Sequence, residues 1–248
     1  MRRCERCRLV ACLTSSMKNT LEQWGVPSEK LCVAGDAVDL RRFAQNPSQE
    51  GARHVMGVST PRLVVGYVGR LKTLGMDKGV ADLLKAIALL RERRLYLALI
   101  VGGPESDRRE YEAMARELGL TSEDVVFTGE VPAHDVPLAL AACNVLAMPF
   151  PDMPHYRHHM SPLKMFEYMA ANRTIVTSDL PTVRDVLSDE TAVFCAPGDA
   201  KSLAEALMWI VEHREDAQQK AKNARTLVQE HTWEVRMKRI LNAAMLAG

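Results

Sequence analysis

Two basic side chains flank a glycine-containing loop that could bind a diphosphate. In the stretch GYVGRLKTLGMDKGV, Arg70 and Lys78 bracket the loop, and Gly66 and Gly69 let the backbone approach a ligand. Two cations beside such a loop suit a diphosphate, although two solvated basic residues on the surface would leave the same pattern. The spacing matches neither a P-loop nor a GxGxxG fingerprint.

A second candidate phosphate site is the start of a helix in residues 161–179, SPLKMFEYMAANRTIVTSD. Ser161 suits the N-cap, and Pro162 suits the first helical position, where its missing N–H costs nothing. Free backbone N–H groups and the positive end of the helix dipole would attract a phosphate. We therefore predict an anion site at Ser161, Pro162 and Leu163.

The same helix carries a carboxylate at the edge of its apolar face. Helical spacing places Glu167 at the border of that face and Lys164 beyond it, and the face itself consists of Leu163, Phe166, Met169 and Ala170. A carboxylate in this position needs a hydrogen-bonding partner. A pair of sugar hydroxyls would be one.

A third segment offers backbone groups to a flat ligand. The sequence FTGEV contains Phe127, Thr128, Gly129 and Val131. Backbone donors and acceptors around a glycine can hydrogen-bond the edge of a nucleobase. The segment is therefore a candidate base-binding site.

The elements that must position these residues alternate along the chain. From residue 61 onward, segments of helical spacing alternate with continuous apolar stretches, at residues 63–68, 95–101, 125–128, 145–149, 174–177 and 192–195. Such alternation predicts an α/β fold, with a Rossmann-like parallel sheet and helices on both faces. Ligands of such sheets bind beyond the carboxyl ends of the strands, where the three candidate segments lie.

The first part of the chain has a different pattern. Apolar stretches at residues 9–13 and 31–35 predict two short strands with a helix between them. Residues 36–57 show little periodicity and contain several turn-forming residues, so we predict an irregular linker. A domain boundary between about residues 45 and 60 follows.

Composition argues against several classes of protein. The 248 residues carry a net charge of +1, which gives no reason to expect nucleic-acid binding. No apolar run approaches the roughly 18 residues of a membrane-spanning helix, and residues 9–13 are too few for a signal-peptide core. Six scattered cysteines favour a reducing, cytoplasmic compartment. Cys4 and Cys7 form a CxxC pair without a second pair to complete a zinc site.

Five segments in order now point to a known family. They are GYVGRL with its following KG, LALIVGGPE, VVFTGEV, NVLAMPF and SPLKMFEYMAANRTIVTSDLPTVRDVL. Together they resemble the donor-binding half of the retaining GT-B glycosyltransferases of group 1, over residues 61–241. The earlier stretch TSSMKNTLEQWGVPSEKLCVAGDAVDLRRF resembles the end of that family's first domain with its linker, but has Asp36-Ala37 where Asn-Gly is usual. The resemblance makes residues 1–59 a remnant of the N-terminal domain and linker, and 60–248 the nucleotide-sugar-binding C-terminal domain.

The resemblance also implies a role for each candidate residue. Arg70 and Lys78 match the basic pair that binds the diphosphate and offsets its charge as it departs. Residues 161–163 match the helix start whose amides hold the distal phosphate. Glu167 matches the glutamate that hydrogen-bonds the ribose hydroxyls, and residues 127–131 match the segment whose backbone faces the base.

One position departs from the family pattern. The family commonly has another glutamate eight positions before the ribose-binding one, and here that residue is His159. A histidine can donate to sugar hydroxyls or to a phosphate, so we place His159 in the catalytic set with Arg70 and Lys78. The alternative is a surface loop in which His155, His158 and His159 do nothing specific.

The implied activity is transfer of a sugar, of hexosyl type, from a nucleotide-sugar such as a UDP- or GDP-sugar to an unknown acceptor. The family transfers with retention of configuration, and no further cofactor is implied. We expect no metal, because no Asp-x-Asp pair sits in a strand-end loop and the cations replace it.

The resemblance implies that this chain lacks a complete acceptor site. Fewer than sixty residues precede the donor domain, so we expect either a fragment or a donor domain that needs a partner domain or subunit. Peripheral membrane association through that other half is left open. The competing hypotheses are a nucleotide-binding module without transfer activity and a GT-B epimerase or phosphorylase.

Overall fold

The computed structural model describes Cys4, residues 7–44 and residues 47–246. Within these ranges the strands are β1 (Val10–Cys12), β2 (Leu31–Val33), β3 (Leu63–Val68), β4 (Lys72–Thr73), β5 (Met76–Asp77), β6 (Tyr96–Val101), β7 (Val125–Gly129), β8 (Val145–Met148), β9 (Thr174–Ser178) and β10 (Val193–Cys195). The helices are α1 (Ser15–Gln23), α2 (Gln49–Val55), α3 (Val80–Leu90), α4 (Glu105–Glu117), α5 (Val136–Ala141), α6 (Pro154–His158), α7 (Leu163–Ala170), α8 (Pro181–Arg184), α9 (Ala200–Glu212), α10 (Arg214–Leu227) and α11 (Trp233–Leu246).

A parallel sheet occupies the centre of the molecule. Among the described residues it has six strands, in the order β10-β9-β8-β3-β6-β7, and every neighbouring pair is parallel. Successive side chains of β3 enter different cores: Val64 and Val68 join one hydrophobic cluster, and Val65 and Tyr67 join the other. Both faces are therefore covered, as expected for parallel strands that read as continuous apolar runs.

Helices pack against each face of this sheet. The core that contains Val65 also holds Leu83 of α3, Tyr111 of α4 and Leu207 of α9. The opposite core holds Leu140 of α5 and residues of α7 and α10. The predicted fold class is confirmed, and the loops after β3, β6, β7 and β8 follow the carboxyl ends of adjacent strands.

The front of the chain forms a second, small sheet. Strands β1 and β2 pair in parallel, and α1 packs with them around Cys12, Val26 and Leu31. Thr14 caps α1, because its hydroxyl oxygen accepts the Met17 N–H at 3.1 Å. This unit contacts the main part of the molecule, where the Ser15 N–H donates to an Asp185 carboxylate oxygen at 2.8 Å.

The segment between the two sheets is more ordered than its sequence predicts. Its helix α2 begins after Ser48, whose hydroxyl oxygen accepts the Gly51 N–H at 3.1 Å. Val38, Phe43 and Ala52 are buried in the same core as β3. The prediction of an irregular linker was wrong because this short helix takes its stability from burial against the sheet rather than from periodicity. The boundary at residue 59 stays a prediction.

Two predicted loops also contain regular structure. After β3, strands β4 and β5 form an antiparallel hairpin whose turn residues Leu74 and Gly75 both have positive φ, of 51° and 75°. Leucine is uncommon in such a turn, which is why the sequence did not signal a hairpin. The loop between β8 and α7 contains α6, anchored by the fully buried side chain of Tyr156.

Candidate functional site

Glycine backbones bring the loops after β3, β6 and β7 together. The Gly102 N–H donates to the Gly129 carbonyl at 2.7 Å, and the Gly69 N–H donates to the Val101 carbonyl at 2.9 Å. A Cβ atom on Gly102 would lie 2.2 Å from the Gly69 carbonyl oxygen, so no larger residue fits there. The carboxyl edge of the sheet therefore presents closely packed backbone, as a diphosphate cradle requires.

Lys78 is held at this edge by the residue that follows it. Gly79 caps α3 with φ +94°, and a Cβ atom there would lie 1.9 Å from the Pro149 carbonyl oxygen. The loop that carries Lys78 consequently rests on the loop after β8. Burial lowers the pKa of Lys78, and the positive charge of Arg70 lowers it further. The structure thus brings Arg70 and Lys78 close enough to repel each other, which favours an anion between them.

The start of α7 differs from its prediction by one residue. The helix begins at Leu163, Pro162 precedes it in an extended conformation, and the Met165 N–H donates to the Pro162 carbonyl at 2.9 Å. The prediction of Ser161 as N-cap was wrong, because its hydroxyl oxygen accepts the Asp36 N–H at 2.8 Å instead. That partner lies in the front segment, where local sequence gives no sign of it.

The buried face of α7 also differs from its prediction. Leu163, assigned to the apolar face, is 51% exposed, and Lys164, assigned outside it, is only 7% exposed. Lys164 points towards the loop after β3 instead of towards solvent, so the assignment by periodicity fails at this residue. The aliphatic end of Lys164 lies against Gly69, and its Nζ lies 3.4 Å from the centroid of the Tyr67 ring.

Glu167 is half-buried beside the same loops and has a partner. Its Oε1 accepts a hydrogen bond from Arg42 Nη1 at 3.1 Å, and Arg42 also donates to the Ala133 carbonyl. Burial raises the pKa of Glu167, and the charge and hydrogen bond of Arg42 oppose that rise. The predicted need for a partner is met here by Arg42, which lies 125 residues earlier in the chain.

The candidate base-binding segment ends strand β7. Phe127, Thr128 and Gly129 are half-buried, and Gly129 turns the chain with φ +75°. Part of its backbone is already engaged, since the Gly129 carbonyl accepts both the Gly102 N–H and the Thr128 hydroxyl. Val131 packs against the core that contains α7. Arg42 spans from Glu167 to the residues just after this segment, so the segment and the carboxylate lie near each other.

Three histidines precede the candidate phosphate helix, and their surroundings differ. His159 is exposed at the end of α6, and its ring lies 6.1 Å from that of His158. His158 Nδ1 lies 2.9 Å from the Ser16 hydroxyl, so this ring faces the front unit. His155 stacks edge-on against Tyr156. Of the three, His159 is the exposed one.

Metal sites and membrane-spanning helices have requirements of their own. In the part of the chain that the structure describes, no three histidine, cysteine or acidic side chains are grouped as a metal site would require. Over the same residues, no helix combines the length and apolarity needed to cross a membrane.

The structure is an α/β fold with glycine backbone and basic side chains at one edge of its sheet, and sequence comparison supplies the family. The family model described as "Glycosyl transferases group 1" matches residues 62–213, more than half of the chain. The chain therefore belongs to the group 1 glycosyltransferases, as the sequence segments indicated.

The chain spans about half the length of two glycosyltransferases that it resembles in sequence. It is 27% identical over 191 residues to a 2-deoxystreptamine glucosyltransferase of Streptomyces kanamyceticus, covering 76% of this chain and 47% of that protein. It is 25% identical over 232 residues to a glycogen synthase of Mycobacterium tuberculosis, covering 91% and 51%.

Solved structures share the fold at lower identity. A glycosyltransferase from Rickettsia africae aligns with a TM-score of 0.81 at 14% identity, covering 96% of this chain and 63% of that one. HepE of Anabaena, solved in complex with UDP and glucose, aligns with a TM-score of 0.77 at 21% identity, covering 96% and 62%. The GT-B assignment of the fold is confirmed.

Proposed function

We propose that this chain is the donor-binding part of a retaining, metal-independent glycosyltransferase that takes a hexosyl group from a nucleotide-sugar. The observation that carries the proposal is the convergence of Arg70, Lys78 and the start of α7 at the carboxyl edge of the sheet, beside the half-buried carboxylate of Glu167. Three sources of positive potential next to one acceptor of hydroxyl hydrogen bonds suit a diphosphate attached to a ribose. The structure of Anabaena HepE in complex with UDP and glucose supports the same ligand class.

Each group then has one task in the reaction. Arg70, Lys78 and the backbone N–H groups of Leu163 and Lys164 offset the negative charge that grows on the diphosphate as its bond to the sugar breaks. Glu167 accepts hydrogen bonds from the ribose hydroxyls and so fixes the nucleotide. His159, exposed next to this helix, donates to the sugar or to the phosphate.

The acceptor is proposed to bind on another domain or subunit. The chain covers 47% and 51% of the two named relatives, so the rest of those proteins has no counterpart in it. On α11, Trp233, Met237, Leu241 and Met245 recur every fourth residue and are 38%, 48%, 54% and 67% exposed. An exposed apolar stripe of this kind suits a contact with that acceptor-binding part.

Thermal unfolding with nucleotides tests the donor-binding proposal. UDP, GDP or ADP should raise the midpoint of unfolding of the purified chain. Arg70→Ala and Glu167→Ala should remove the shift, while Arg41→Ala, which replaces an arginine whose side chain is 84% exposed, should keep it. If none of the three nucleotides stabilises the chain, the donor-site proposal fails.

The competing proposal is a nucleotide-binding module without transfer activity. The partial coverage of the relatives and the histidine at position 159 favour it. Incubation with UDP- or GDP-sugars separates the two proposals. Release of free sugar or transfer to an added acceptor by the chain alone would exclude the inert module, while tight binding without either product would support it.

A further inference from the structure

Lys164 is a buried amine that the structure leaves without a partner. Its side chain is 7% exposed, and no described group hydrogen-bonds to its Nζ, which has almost no contact with solvent. An unsatisfied buried amine costs stability. The residue therefore needs an explanation other than packing.

Two aromatic rings and three charged side chains lie around this amine. Tyr67 of β3 lies beneath it, with Nζ 3.4 Å from the ring centroid, and the ring of Phe150, after β8, is 5.8 Å away. Lys78 repels it, while Asp77 and Glu167 attract it.

Neither acid hydrogen-bonds this amine. The Asp77 carboxylate accepts the Gly79 N–H and the Tyr111 hydroxyl, and Glu167 accepts Arg42. Burial, followed by the Lys78 charge, lowers the pKa of Lys164 well below its ordinary value. Burial without a hydrogen-bond partner therefore favours the neutral amine over the ammonium while the site is empty.

Lys164 lies where its ammonium group could pair with a bound anion. Lys164 is the second residue of α7, and a Cβ atom on Gly69 would lie 3.2 Å from its Cε and 3.4 Å from its Nζ. The amine thus lies between the glycine loop that follows β3 and the positive end of α7. An anion bound there would supply both a hydrogen-bond acceptor and the opposite charge that the protein does not.

We propose that Lys164 is a third phosphate-binding cation of this site and that it takes up one proton when a nucleoside diphosphate binds. The lone pair of Nζ accepts a proton from the buffer, and the resulting ammonium donates to a phosphate oxygen while the Tyr67 ring stabilises the charge from its other side. The inference rests on the proposed donor site, and it adds a residue and a proton that the family resemblance does not assign.

Calorimetric titration with UDP tests this coupling. At pH 8 and above UDP itself is almost entirely ionised, since the last phosphate pKa is about 6, so proton uptake there comes from the protein. Titrations in two buffers of different ionisation enthalpy should give a net uptake near one proton per UDP at pH 8. The dissociation constant should rise with pH, by up to about tenfold per pH unit.

Lys164→Met removes the amine and keeps an apolar stem of similar length. We expect it to bind UDP about tenfold more weakly at pH 7, with less proton uptake and a flatter pH dependence. Lys201→Met, on a side chain that is 82% exposed, is the matched control and should behave like the parent. Lys164→Gln serves as a second variant should the Met variant not fold.

The outcomes separate this inference from the donor-site proposal. If the parent binds UDP and the Lys164 variants bind it with the same affinity and the same proton uptake, the role of Lys164 is refuted and the donor site stands. If the parent binds neither UDP, GDP nor ADP, both proposals fall together.

Discussion

The guanidinium of Arg42 lies 3.1 Å from the carboxylate of Glu167, where its Nη1 donates to Oε1. The second nitrogen of the same group reaches the Ala133 carbonyl after β7. One side chain of the front segment therefore joins the proposed ribose-binding acid to the proposed base-binding loop. It also stabilises the ionised form of a carboxylate whose burial favours the neutral one.

Removal of this guanidinium should make nucleotide binding more sensitive to acid. In Arg42→Ala the pKa of Glu167 should rise further, because burial would then act without its main opposing charge. The carboxylate would be protonated at a higher pH and would accept hydrogen bonds from ribose less well. UDP affinity should fall several-fold more between pH 7.5 and pH 5.5 in this variant than in the parent. Arg41→Ala controls for loss of a neighbouring charge, and equal pH dependence in both variants would contradict the prediction.

Lys164→Met should stabilise the fold near neutral pH. The lysine is protonated in the unfolded chain up to about pH 10.5, whereas its folded-state pKa is lowered. Unfolding therefore takes up a proton between those two pKa values, and the stability of the parent rises with pH across that window. We expect the variant to exceed the parent by about 1–3 kcal/mol at pH 7, and the difference to shrink towards pH 10.5.

Urea unfolding at pH 7 and pH 10 measures this difference. Lys201→Met, which replaces an exposed lysine, should match the parent at both values. A Lys164→Met variant that is less stable than the parent at pH 7 would show that the amine is paired or charged in the folded chain.

Gly79→Ala should damage both the fold and the site. Its positive φ alone costs an alanine about 1–2 kcal/mol, and the added methyl would meet the Pro149 carbonyl. We expect a loss of roughly 3 kcal/mol or more, with weaker UDP binding because Lys78 moves. Gly25→Ala is the control, since Gly25 has φ +86° and no atom within 4 Å of the added carbon. Equal destabilisation of the two variants would show that the contact with Pro149 is unimportant.

His159→Ala should weaken binding of a UDP-sugar more than binding of UDP. The residue is exposed, and if its imidazole contacts only the sugar, UDP affinity should change less than twofold. Affinity for the corresponding UDP-sugar, or its hydrolysis, should fall several-fold if the imidazole touches the sugar. Isothermal titration with both ligands measures the contrast. A parallel loss for UDP and UDP-sugar would place the histidine at the diphosphate instead.

Sequence patterns predicted the central sheet correctly, because each of its strands is a continuous apolar run between turn-forming residues. They also located the loops, since ligand sites of parallel sheets follow the strand ends. Ser161, Lys164 and Glu167 show where such reasoning stops. Their partners Asp36, Gly69 and Arg42 lie 95 or more residues away in sequence, and helical periodicity says nothing about which elements pack around the first turn of a helix.

The hydrogen bond from Asp36 to Ser161 has a practical consequence for dissection of this protein. A polypeptide that starts at residue 60 would keep every strand of the large sheet. It would nevertheless lose the amide that engages Ser161 and the guanidinium that engages Glu167. In such a shortened chain the start of α7 would lack these two contacts. Ligand affinities measured on it would therefore underestimate the affinity of the longer chain.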